Sequence, residues 1–137
     1  MSRLFTQPVS EATGQAAQLF TAIKGAIGMV PNAYVGIGSN SPVALEAALT
    51  LDGALRKTSL SAKEIEVVKL AVSQDAKCDY CLAAHTLMGG KAGLSADAIK
   101  AVRYGQDSGD ARLNALATFA HSLVTTSGDV QPIVWPP

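Results

Sequence analysis

The chain has 137 residues, enough to bury a sizeable core in one domain, and its 11 basic and 11 acidic residues cancel. That balance excludes an electrostatic grip on nucleic acid or on anionic lipid as the basis of function. Apolar residues make up 48% of the chain and aromatics only 5%, a composition that suits packed helices better than sheets. The start, Met1 to Pro8, is too short and polar for a signal peptide, and no apolar run is long enough to span a bilayer. A soluble cytoplasmic protein is expected. Two cysteines do not make a secreted disulfide framework.

Apolar residues at Ala12, Ala16, Leu19, Phe20, Ile23, Ile27 and Val30 keep the period of an amphipathic helix from about Val9 to Val30, which Pro31 ends. A loop is expected from Asn32 to Asn40. Ser41 then reads as an N-cap with Pro42 at the first helical position of a helix to about Lys57. Ser61 followed by Glu64 is a capping box, flanked by Leu60 and Ile65 as a hydrophobic staple, and predicts a helix from Ala62 to about Gln74. Asp75 to Lys77 forms a tight turn into a helix that carries both cysteines and ends at Gly89-Gly90. Leu94 to Arg103 echoes Leu60 to Lys69 in staple, cap and terminal cation, with Lys100 at the position of Glu66. After a loop from Gly105 to Gly109, Asp110 caps a helix through Leu113, Leu116, Ala117, Ala120 and Val124, stopped by Ser127-Gly128. The class is therefore all-α, with six helices at most in a single domain over residues 1–128. A proline-rich tail over 129–137 carries Ile133 and Trp135, which need a groove or a partner if ordered.

Both cysteines and one of the two histidines fall between Lys77 and His85. In a helix, Cys78, Cys81 and His85 share one face, three and four residues apart. Such a pair can close a disulfide, and a helix N-terminus with Lys77 nearby favours a thiolate while Asp79 opposes it. Two small buried side chains would give the same spacing. One turn beyond Cys81, the imidazole of His85 is placed to accept the thiol proton and return one to a leaving group. A metal module would instead take Cys78, Cys81 and His85 as three ligands and Glu66 as a fourth, although structural zinc usually has a second separated pair. On a helical wheel Glu66 lies away from Ile65, Val68 and Val72, which reads as a solvated acid with Lys69 as a surface partner. His121, one residue off its own apolar stripe, reads as surface or half-buried structure.

Glu66, eleven intervening residues, Cys78, two residues, Cys81 and then His85 four beyond it form a pattern that resembles the alkylhydroperoxidase D and carboxymuconolactone decarboxylase-like superfamily, in its cysteine-pair peroxidase branch. Tyr80 and Leu82-Ala83-Ala84-His85 share the likeness, which runs loosely from about Val30 to Val124 and is strongest over 60–90. The resemblance implies a compact helical bundle that assembles as a trimer or hexamer, with Glu66 buried at an interface as part of a proton relay. It further implies that His85 with Glu66 activates Cys81, that the Cys81 thiolate attacks a hydroperoxide, and that the sulfenic acid condenses with Cys78 to a disulfide. An outside dithiol, a lipoyl-bearing or thioredoxin-like protein, then reduces the pair; no metal, haem or flavin is implied. The characterised peroxidase carries a second histidine where this chain has Tyr80, and the domain usually continues into further helices where this chain has its tail. Rival readings are a general protein or lipoyl disulfide reductase, the metal module, and a structural helical oligomer. Lactone decarboxylation is disfavoured, because those members generally lack the cysteine pair.

Overall fold

The computed structural model describes residues 4–129, and among them four helix starts fall where capping chemistry puts them. Ser41 Oγ accepts the N–H of Ala44 at 3.2 Å, and Ser95 Oγ that of Ala98 at 3.1 Å. Asp110 Oδ1 accepts the N–H groups of Arg112 and Leu113. The capping box closes in both directions, with Glu64 N–H on Ser61 Oγ at 3.3 Å and Ser61 N–H on Glu64 Oε2 at 2.7 Å. Each such cap is worth about 1 kcal/mol because it satisfies N–H groups that the helix itself leaves unpaired.

The chain is all-α, with seven α-helices and no strand among the described residues, grouped in two compact units, Met1–Lys57 and Thr58–Pro137. In the first, a 3-10 turn at Val9–Glu11 precedes α1 (Gly14–Ile27), α2 (Asn32–Asn40) and α3 (Pro42–Leu55). Ala16, Phe20, Ile23 and Leu45 form its core. In the second, α4 (Ala62–Asp75) packs against α5 (Asp79–Lys91), α6 (Ala96–Arg103) and α7 (Ala111–Thr125). Its core is Val67, Leu70, Leu94, Ile99, Val102, Leu113, Leu116 and Ala117. Among the described residues no helix is long and apolar enough to cross a membrane.

Several expectations are corrected. The first helix is shorter at both ends, because Ala12 and Thr13 are extended and Gly28 turns left-handed at φ 83. Pro31 does not end that helix; it opens the next, its carbonyl accepting the N–H groups of Tyr34 and Val35. The segment from Asn32 to Asn40 is therefore a helix rather than a loop, the seventh where six were expected. Within it Gly38 allows close packing: a Cβ at that position would lie 2.7 Å from Phe20 and 2.8 Å from Leu45. The cysteine helix also passes Gly89-Gly90 to end at Lys91. Residues 130–137, with Ile133 and Trp135, lie outside the described residues.

Candidate active site

The site is built on the hairpin of α4 and α5. The first helix of that hairpin ends in a Schellman motif, with Lys77 N–H on the carbonyl of Gln74 and Cys78 N–H on that of Ser73, both at 3.1 Å. This requires a left-handed residue at Lys77, which has φ 52. A side chain held there costs about 1 kcal/mol relative to glycine. The turn delivers Cys78 as the N-cap of α5, where its sulfur accepts the N–H of Cys81 at 3.2 Å. Cys78 thus sits just outside the helix instead of on its face, and its three-residue spacing from Cys81 is a capping relation.

Cys78 and Cys81 form a disulfide, with Cα atoms 5.3 Å apart and both residues half-buried. Cys81 lies in the first turn of α5, where unpaired N–H groups and the helix dipole favour a thiolate once the bond is reduced. One turn later on the same helix, His85 donates from Nδ1 to Glu66 Oε2 at 2.8 Å. With Glu66 ionised, that bond leaves the lone pair on Nε2, the nitrogen free to take a proton.

Glu66 is only 4% exposed, which corrects the reading of a solvated acid. It also removes the need for an interface to bury it, since α5 covers it within the same chain. The wheel misled because α4 is enclosed by three helices and buries more than one face: Glu66 and Ser73 on one side, Val67, Leu70 and Ala71 on another. Val72, placed on the apolar stripe by period, is instead exposed. Lys69, expected only as a surface partner, is drawn into the site, its Nζ 3.8 Å from Glu66 Oε1. The i, i+3, i+7 recurrence of Glu66, Lys69 and Ser73 was the available signal for this face.

Other polar groups hold the hairpin in place. His121 is half-buried, as expected, with Nδ1 on Asp75 Oδ2 at 2.7 Å and Nε2 on the carbonyl of Val102 at 2.9 Å, so both nitrogens face acceptors at the root of the turn. Arg103 donates to Gln74 at 2.9 Å. Arg112 binds Glu64, and that guanidinium together with the Ser61 N–H lowers the Glu64 carboxyl to about 2. Tyr80 is 48% exposed on α5 beside the pair. Among the described residues no three histidine, cysteine or acidic side chains gather to hold a metal ion.

An all-helical chain whose central hairpin carries a Cys-x-x-Cys disulfide defines the class. The profile of the carboxymuconolactone decarboxylase family matches residues 42–124, and the chain belongs to that family. The match takes in α3 to α6 and nearly all of α7, and so includes Glu66, Cys78, Cys81 and His85. No curated protein matches the chain.

Proposed function

We propose that the chain is a thiol-dependent peroxidase and disulfide oxidoreductase of the cysteine-pair branch of its family. The observation that carries this reading is the buried carboxylate of Glu66 bonded to Nδ1 of His85, one helical turn from a cysteine of a Cys-x-x-Cys disulfide. In the reduced protein, Nε2 of His85 takes the Cys81 thiol proton, and Glu66 steadies the imidazolium that results. The thiolate attacks the distal peroxide oxygen and the O–O bond breaks. The leaving alkoxide takes the proton from His85, giving an alcohol and a sulfenic acid on Cys81. The Cys78 thiol then displaces water from that sulfenic acid to close the disulfide. An external dithiol, on a lipoyl-bearing or thioredoxin-like protein, returns two electrons and two protons by thiol–disulfide exchange and is itself oxidised to a disulfide. The working protein is a cytoplasmic trimer or hexamer.

A second reading, general disulfide reduction with little peroxidase turnover, is favoured by Tyr80 at the position where the resemblance puts a histidine. One titration separates the two. The reduced, metal-free protein is mixed with an organic hydroperoxide, peroxide loss is followed, and the products are mapped by mass. Fast consumption yielding the Cys78–Cys81 disulfide, abolished in Cys81→Ala and arrested at a Cys81 sulfenic acid in Cys78→Ala, is the expected result. Consumption no faster than by a free thiol overturns the peroxidase reading and leaves the reductase.

A further inference from the structure

The carboxylate of Glu66 has two oxygens and the site uses both. Oε2 takes Nδ1 of His85 at 2.8 Å, and Oε1 lies 3.8 Å from the ammonium of Lys69. A carboxylate as buried as this one is costly unless a cation stands by it. When His85 is protonated it serves as that cation. In the form that can accept a proton, however, His85 is neutral, and the charge beside Glu66 is then that of Lys69. Basic side chains that the surrounding helices present to α4 are engaged elsewhere: Arg103 of α6 on Gln74, and Arg112 and His121 of α7 on Glu64 and Asp75. From α5 the group that reaches Glu66 is His85.

We propose that Lys69 is a positioning residue of this site: it holds Glu66 as a carboxylate while His85 is neutral, and so sets the pH window in which His85 works. The inference rests on the proposed thiol chemistry and extends it to a residue that acts through Glu66. Its sign is definite even though Cys81 and His85 titrate as a coupled pair. Whichever gives up the first proton, removing a nearby cation makes that loss harder, so the acid limb of reactivity moves to higher pH.

The test uses the reduced full chain in four forms: wild type, Lys69→Met, Lys69→Arg and Glu66→Gln. Two readouts are taken, the pH profile of Cys81 alkylation and the NMR titration of the His85 ring. Lys69→Met is expected to move both toward higher pH and to slow alkylation on the acid limb roughly threefold to tenfold. Lys69→Arg restores both, which a merely structural role for the side chain would not require. Lys69→Gln replaces the methionine variant if that one fails to fold. If Glu66→Gln shifts the His85 titration while Lys69→Met, or Lys69→Gln in its place, leaves it where it was, the role of Lys69 is overturned and the relay stands. If Glu66→Gln changes neither readout, the relay itself falls, and the proposed function with it.

Discussion

Replacing Glu66 with glutamine keeps the size of the side chain and removes its charge, so it isolates the electrostatic part of the relay without opening a cavity. The Glu66 residue is 4% exposed and accepts from Nδ1 of His85 at 2.8 Å, so water does little to make up for the change. A hydrogen bond to a charged partner contributes about 1.5–3 kcal/mol, against about 0.5–1.5 for a neutral one. The difference applies to the step in which His85 becomes an imidazolium, and about 1.4 kcal/mol there is about tenfold in rate. The glutamine also has an NH2 group that can turn toward Nδ1, fixing the ring proton on Nε2, where it blocks acceptance from the thiol; that would deepen the loss. The assay is a single turnover of the pre-reduced protein with an organic hydroperoxide, quenched and scored for the Cys78–Cys81 disulfide. A rate about ten to a hundredfold below wild type is expected, with helix content unchanged. A Glu66→Gln rate within about twofold of wild type, while Cys81→Ala abolishes the reaction, would refute the argument that the buried carboxylate assists His85.

Other consequences concern stability. Gly38→Ala gains about 1 kcal/mol of helix propensity but drives a Cβ to 2.7 Å from Phe20 and 2.8 Å from Leu45; overpacking of about 1–3 kcal/mol outweighs the gain, and urea unfolding should show a net loss of about 1 kcal/mol. Lys77→Gly relieves a left-handed side chain at φ 52 and should raise the melting temperature slightly, with a net gain of about 0.5 kcal/mol after the added freedom of the unfolded chain. Glu64 has its carboxyl held at about 2, below its ordinary 4.5, by Arg112 and the Ser61 N–H. Because the folded value is the lower one, this stabilisation is complete above about 4.5 and is lost as the pH falls toward about 2. The melting-temperature gap between wild type and Arg112→Met should therefore narrow across that window, and added salt should narrow it at neutral pH too, since the guanidinium is largely exposed.

The amino-acid sequence by itself determined whatever depends on near neighbours in the chain. Helix caps at Ser41, Ser61, Ser95 and Asp110 are local hydrogen bonds, and each lies where the residues place it. The cysteine spacing and the four-residue step to His85 likewise fix a short arrangement on one helix start. Glu66 was legible only through its resemblance to a family pattern, because its period pointed to solvent. Tertiary structure decided the rest. A wheel assigns one buried face, whereas α4 is enclosed by three helices, so a polar side becomes an interior that buries Glu66 and Ser73 and brings Glu66 against His85 of α5. The segment from Asn32 to Asn40 is a helix rather than a loop because Pro31 opens it instead of only ending the one before, and Gly38 lets Phe20 and Leu45 close against it from other helices. Local propensity and capping act within a few residues, while the burial of a charge depends on which distant side chains arrive beside it.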